Sequence, residues 1–304
     1  MVRIKKILCP VDFFPASERA ADYAIALARN YDAALLLLHV VTPVLPSAYE
    51  FTLDGQMLKV MSNTAKKELQ KFAGRAEALR VKVECIVRTG DIDLEIQKVV
   101  TEQKVDLIVM GTHGRRGFEK WFLGSVTERL IRRVSVPLLT MSERKSTAVP
   151  PAIRRILVTT DFSEGTSDAI EYAFSIAQEC QAKVTLLHVL NDISADISGR
   201  YRDPLIRSIR HELEALVPEG ARDWCEVETR VDNGLPFNRI PKILKKEKID
   251  LLVMNIHGKS MLERAMIGST AERVVRTAGH PVLLIPPLTA PAKKAKSRKK
   301  ARAA

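Results

Sequence analysis

The sequence predicts two tandem α/β domains, each a doubly wound parallel sheet of five strands in a Rossmann-like arrangement. Three observations predict it: the chain repeats itself, each repeat alternates strand with helix, and 304 residues suit two domains of about 150 better than one. The stretch "KKILCPVDFFPASERAADYAIALARNYDAALLLLHVV" at 5–41 aligns without gaps on "RRILVTTDFSEGTSDAIEYAFSIAQECQAKVTLLHVL" at 154–190, pairing Asp12 with Asp161 and His39 with His188. Further on, "TEQKVDLIVMGTHG" at 101–114 pairs with "KKEKIDLLVMNIHG" at 245–258. The offset falls from 149 to 144 between the two, so the first copy carries 149 − 144 = 5 extra residues in its middle.

In the first copy, apolar runs near 3–9, 34–41, 81–87, 105–110 and 136–141 are short and rich in Val, Ile and Leu. Such runs suit strands covered on both faces, hence a parallel sheet. Between them, 16–31 and 58–80 show helical spacing, with Ala24, Ile25 and Ala28 on one stripe. Alternation of this kind implies right-handed crossovers and helices on both faces. The second copy repeats the order, with strands near 153–159, 184–190, 225–231, 250–254 and 281–285. The Ser, Thr and Pro of "SERKSTAVPPA" mark a linker. The expected division is therefore domain 1 at 1–142, linker at 143–152, domain 2 at 153–287 and a basic tail at 288–304.

Composition excludes several classes. A chain with 46% hydrophobic, 5% aromatic and 28% charged residues is neither fibrous nor disordered. Its net charge is +12, but 292–304 contributes seven Lys and Arg and no acid, so 12 − 7 = +5 remains. A basic block without interleaved aromatics reads as a solvated tail that makes a weak polyanion contact, with no platform for base stacking. The four cysteines are scattered and form no C-x-x-C pair, which points to reduced thiols. No apolar run reaches the roughly 20 residues of a transmembrane helix, and the run before Pro10 is too short for a signal peptide. The expected location is cytoplasmic.

In an open parallel sheet, ligands bind beyond the carboxyl ends of the strands. Asp12 and Asp161 follow the first strand of each copy, and His39-Val40-Val41 and His188-Val189 close the second. A glycine loop follows the fourth: "GTHGRRGFEKWFLGS" at 111–125 and "NIHGKSMLERAMIGS" at 255–269. Gly111 and Gly114 permit positive φ and close approach of backbone N–H groups to a ligand, which a Cβ would block. Gly124-Ser125 then opens a helix whose free N–H groups favour an anion such as phosphate, with Arg115 and Arg116 adding charge. The bland alternative is that "SVTE" at 125–128 and "STAE" at 269–272 are capping boxes, with each serine capping its own helix. A P-loop is excluded because the glycine it needs five positions before Gly258 is Val253. "GTHGRRG" is likewise no dinucleotide fingerprint, since it follows the fourth strand and has the wrong spacing.

The spacing G-x-x-G, nine residues, G-S after "DLIVMGTHG", with "PVD" after the first strand and "SVPLLTM" ending the unit, resembles the universal stress protein family in tandem form. The resemblance covers about 2–142 and 153–287. It implies a fold of the adenine nucleotide alpha hydrolase kind and, where the motif is kept, binding of ATP, with or without magnesium. Carried over by position, Asp12 would meet the adenine and ribose end and the Val40-Val41 backbone would meet adenine. Gly111, Gly114 and Arg115 would line ribose and phosphate, and Gly124, Ser125 and Val126 would hold the distal phosphates. In the second copy Asp161, Val189, Gly258, Gly268 and Ser269 remain, but Asn255 replaces the first glycine. Asn tolerates the left-handed region, yet its side chain could crowd the ribose. The first site is thus expected to be competent and the second weaker. The resemblance also implies that each final strand, 134–141 and 280–287, lies at the sheet edge and pairs across a domain dimer, so that the two copies associate within one chain, and two chains are expected to associate again.

Other tempting residues carry less. His113 and His257 lack carboxylate or Cys partners at zinc-ligand spacing, and Ser125 and Ser269 lack a G-x-S-x-G context. Cys9 reads as a core residue beside the pocket. The expected role is therefore regulatory nucleotide binding, with at most weak ATPase activity. The alternatives are an interaction module acting through its surfaces and tail, or a slow ATP-consuming enzyme.

Overall fold

The structure, a computed structural model, describes residues 2–43, 55–112, 124–142, 152–163, 165–191, 199–257 and 268–287. The first half runs β1 (Lys6–Pro10), α1 (Pro15–Asn30), β2 (Ala34–Val41), α2 (Gly55–Ala78), β3 (Val83–Thr89), α3 (Ile92–Gln103), β4 (Leu107–Gly111), α4 (Ser125–Arg133) and β5 (Leu138–Met141). The second repeats this as β6 (Arg155–Thr159), α5 (Thr166–Cys180), β7 (Lys183–Leu190), α6 (Gly199–Ala215), β8 (Val227–Asn233), α7 (Pro236–Lys246), β9 (Leu251–Asn255), α8 (Ser269–Thr277) and β10 (Val282–Ile285). The stripe expected on the first helix is the buried face of α1, with Ala20, Ala24 and Ala28 almost wholly shielded. Most of the linker and the whole basic tail lie outside the described residues. So do His113, Gly114, Arg115, Arg116 and Gly258.

The ten strands form one sheet, ordered β3-β2-β1-β4-β5-β10-β9-β6-β7-β8. Among the described residues every pairing within a half is parallel, and only β5 and β10 pair antiparallel, Leu139 opposite Leu283. The final strands therefore sit at the centre of the combined sheet, where all four residues of each are buried. The outer edges fall to β3 and β8. Their sequences, VECIVRT and VETRVDN, carry charges that blunt an exposed edge. These two strands are accordingly not uniformly apolar, and β3 begins two residues later than its apolar run suggests.

An antiparallel seam between two parallel half-sheets reverses their direction. The carboxyl ends of the first half's strands therefore lie on the edge of the sheet that holds the amino ends of the second half's. The two predicted sites open at opposite edges.

Corresponding contacts hold each half together. Asp106 accepts the N–H groups of Lys5 and Lys6 at 2.8 and 2.9 Å, and Asp250 accepts those of Arg154 and Arg155 at the same distances. Each carboxylate thus pins the entry of the first strand beside the fourth. Across the seam, Thr140 donates to the Val282 carbonyl at 3.2 Å. On one face Ser175 of α5 donates to the Val2 carbonyl at 3.2 Å. On the other, Arg276 of α8 reaches Glu128 of α4 at 3.6 Å as well as Glu272 at 2.7 Å. Among the described residues, no helix is long and apolar enough to cross a membrane.

The seam makes a first prediction. Leu284 is fully buried on β10 opposite Leu138. Leu284→Ala should cost about 2–5 kcal/mol and lower the urea midpoint, because it removes buried side-chain volume from a closely packed core. An unchanged midpoint would show that the seam carries no such load.

Candidate functional site

The site is built where β1, β2 and β4 end and α1 and α4 begin. After Pro10 the chain turns sharply: Phe13 has φ +65° and its counterpart Phe162 has φ +60°. A bulky residue in the left-handed region stores strain of about 1–3 kcal/mol and persists only when its surroundings hold it. Here the holder is an aromatic stack. The Phe13 ring lies 4.6 Å from that of His39, and Phe162 lies 4.8 Å from His188. Each histidine is anchored in turn, Nδ1–H donating to the Val11 carbonyl at 2.7 Å and to the Thr160 carbonyl at 2.8 Å. The turn then orders the aspartate. Asp12 accepts the Phe14 N–H at 3.1 Å and Asp161 accepts the Ser163 N–H at 3.1 Å. Both carboxylates stand at the mouth of their cleft, as the repeat alignment anticipates. The strained phenylalanines escaped sequence reasoning, although "DF" recurs at both aligned positions.

The histidine has a second effect. The last hydrogen bond between β1 and β2 runs from the Val11 N–H to the Leu38 carbonyl at 2.8 Å, and strand alternation turns Val40 to the same side as Leu38. The carbonyl that Val40 would meet next, that of Val11, is taken by His39. The Val40 backbone therefore faces the cleft beyond the end of β1. Val41 does not; its carbonyl accepts the Gly90 N–H at 3.0 Å on the β3 side.

The glycine loop is closed at its base. Gly124 donates to the Thr112 carbonyl at 2.8 Å, and Gly268 donates to the Ile256 carbonyl at 2.8 Å. A Cβ on Gly124 would lie 2.8 Å from that same carbonyl oxygen, so glycine is required by close approach. Thr127 donates to the Gly111 carbonyl at 3.3 Å, tying α4 to the end of β4. Gly111 itself does not adopt positive φ. Its Cβ would lie 2.8 to 2.9 Å from Ala16 and Ser17, so the glycine is there to let β4 meet α1. The left-handed conformation that glycine permits is not used at Gly111, and Asn255 likewise does without it.

A correction concerns the serines. Ser125 and Ser269 are the first residues of α4 and α8, not the caps; Gly124 and Gly268 occupy the cap positions, and neither helix has a side-chain cap. The capping-box reading fails because glycine cannot supply the oxygen. The first turn of each helix therefore presents N–H groups without a capping side chain, an arrangement that favours an anion. Val126 is half-buried on this turn and packs on the core behind it.

The orientation of α4 is fixed by a contact that sequence reasoning missed. Asp93, with 3% of its side chain exposed, accepts Arg129 Nε at 2.8 Å and Arg133 Nη1 at 3.2 Å. In the second half the aligned pair is Phe237 and Arg273, with the guanidinium 4.3 Å from the ring centroid. Asp93 and Arg129 are 36 residues apart, and nothing local marks them as partners. The same helix contact is thus made by an ion pair in one half and by a cation–π pair in the other.

In the second half these elements enclose a cleft of about 430 Å³, bordered by Asp161, His188, Val189, Asn255, His257 and Ser269. A larger trough, about 690 Å³, lies at the amino ends of β6 and β7. It is not where a parallel sheet binds ligands, and its charges are spent internally: Lys183 pairs with Glu226 at 2.8 Å and Arg155 donates to the Glu247 carbonyl at 2.8 Å. Cys9 lies beneath the first cleft, fully buried, and burial pushes its thiol well above the ordinary range. Such a thiol is a core residue, without the lowered pKa of a reactive one.

Comparison with known proteins agrees with this geometry. The model of the universal stress protein family matches residues 3–141 and again 152–286. A universal stress protein of Methanocaldococcus jannaschii is 36% identical over 145 residues, which is 46% of this chain and 84% of that protein. One from Mycolicibacterium smegmatis is 25% identical over 300 residues, covering 92% of this chain and 97% of that one. The crystal structure of a universal stress protein from Archaeoglobus fulgidus superposes with a TM-score of 0.71 at 24% identity, over 92% of this chain and 95% of that one.

The packing at Gly111 is testable by exchange. Gly111→Ala should destabilise by about 1–3 kcal/mol, since its methyl group meets Ala16 and the adjoining backbone. Adding Ala16→Gly, the arrangement that the second half uses at Gly165, should recover at least half of that loss in a double-mutant cycle. Simple additivity of the two changes would refute the account.

Proposed function

The chain belongs to the universal stress protein family in both halves, and from that premise we propose that its first half binds an adenine nucleotide and that binding, rather than turnover, is the regulatory event. One observation carries the reading: the first turn of α4 has no side-chain cap and opens beside Asp12 and the outward-facing Val40 backbone. An anion at the helix end and a base edge at the strand end are the two recognitions that this arrangement supplies. The backbone N–H and C=O of Val40 form a donor and an acceptor side by side, matching the donor–acceptor edge of adenine. Asp12 offers a carboxylate to sugar hydroxyls or to ring donors. ATP fits the cleft by chemistry: its phosphates need N–H groups and positive potential, which the α4 terminus provides. Bound magnesium would neutralise phosphate charge.

The proposal extends to the rest of the molecule. A chain with four free thiols suits the cytoplasm. The seven Lys and Arg of the tail supply a weak polyanion contact, and two chains associate as a homodimer. Nucleotide occupancy is then a signal read by partners.

The test is calorimetric titration of Mg-ATP into nucleotide-stripped protein. Ser125→Glu should weaken binding at the first cleft at least tenfold, since a carboxylate at the first helical position repels phosphate while favouring the helix itself. Its circular dichroism and melting temperature should stay close to those of the parent. No heat from the parent at millimolar ATP would sink the nucleotide reading.

A further inference from the structure

The repeat alignment exposes one contact at which the clefts differ in chemistry. In the first half Gly111 packs against Ala16. In the second the sizes are exchanged: Asn255 occupies the glycine position and Gly165 the alanine position. A Cβ added to Gly165 would touch the Asn255 carboxamide at 3.3 Å. Gly165 therefore leaves the space that the Asn255 amide fills. The exchange brings a hydrogen-bonding group to a place where the first cleft has bare backbone.

That group is unsatisfied. Asn255 borders the second cleft, and its Oδ1 is shielded from solvent with no hydrogen-bond partner among the described residues. Two residues on, His257 Nδ1 is in the same state on the same cleft. Buried polar atoms without partners are few in folded proteins, and two together on one cleft point to a group that completes them. Above them the first turn of α8 has no side-chain cap.

We propose that Asn255 is the specificity-determining residue of the second cleft, its carboxamide pairing with a hydroxyl of a sugar-bearing phosphorylated ligand that the first cleft does not read in this way. The inference rests on the nucleotide reading above. An amide offers a donor at one end and an acceptor at the other, and a half-turn of its last torsion exchanges them. A hydroxyl both donates and accepts, so it satisfies either end; a phosphate oxygen at neutral pH only accepts. The second cleft is then a ligand site with its own selectivity rather than a degraded copy of the first.

The experiment uses the full chain carrying Ser125→Glu, so that binding at the second cleft dominates, titrated with ATP, 2′-deoxy-ATP and 3′-deoxy-ATP. One of the two deoxy nucleotides should bind about 3- to 10-fold more weakly than ATP, the value of one hydrogen bond. Adding Asn255→Gly together with Gly165→Ala reinstates the first-half pair without leaving a void. That variant should melt as a folded protein and discriminate measurably less between ATP and the deoxy nucleotide that Asn255 disfavours, Asp161 being unchanged in it. Equal affinities with Asn255 in place would overturn the inference, as would an unaltered sugar preference after the exchange. If the Ser125→Glu chain binds no nucleotide while the unaltered chain binds one, the inference fails and the first-cleft reading stands. If neither binds, the nucleotide reading itself has failed.

Discussion

The antiparallel pairing of β5 with β10 governs what the rest of the molecule can do. Two parallel half-sheets, each with one raw apolar edge, cover those edges with each other, and every residue of both strands is buried as a result. Because the strands meet head to tail, the halves run in opposite directions and their clefts open at opposite edges of one continuous sheet. No ligand of ordinary size can bridge them. What connects them is the seam itself, the bond from Ser175 of α5 to the Val2 carbonyl on one face, and on the other the pair of short helices α4 and α8, which touch through Arg276 and Glu128. The amino ends of these helices point to different clefts while their flanks share an ion pair.

Each cleft is assembled by a short series of dependent contacts. A carbonyl at the end of the first strand anchors a histidine, the histidine supports a phenylalanine held in a strained conformation, and the strained turn presents an aspartate. The same histidine occupies the carbonyl that would otherwise continue the strand ladder, so the Val40 backbone is left facing outward. One side chain thereby shapes both the carboxylate and the strand edge. The recurrence of this arrangement around His188 and Phe162 argues that it belongs to the site and is not an accident of one loop.

The duplication, the strand and helix order and the position of the clefts were legible in the sequence, because they depend on apolar periodicity and on a motif with fixed spacing. The roles of single residues were less so. "SVTE" satisfies the pattern of a capping box, but the helix starts one residue earlier than that pattern requires, and four letters cannot fix a register. A glycine at 111 permits either a turn or a close approach, and what decides between them is Ala16, nearly a hundred positions away in the chain. Asp93 and Arg129 meet only because α3 and α4 pack side by side. Phe13 gave no local warning, since an aromatic residue carries no propensity for positive φ. In each case the deciding contact is tertiary. The exchange of Gly111 and Ala16 for Asn255 and Gly165 was visible in the alignment as two unrelated differences, and only their contact makes them one.

If the first half binds a nucleotide as proposed, the first turn of α4 and the turn after β1 receive it together. Amide hydrogen exchange, followed with and without Mg-ATP, addresses both at once. Slower exchange is expected at the Ser125, Val126 and Thr127 amides and, in the same titration, across residues 12–17, with no change along the seam strands. Protection confined to either segment alone, or found only at the trough bordered by Arg155 and Lys183, would contradict that proposal.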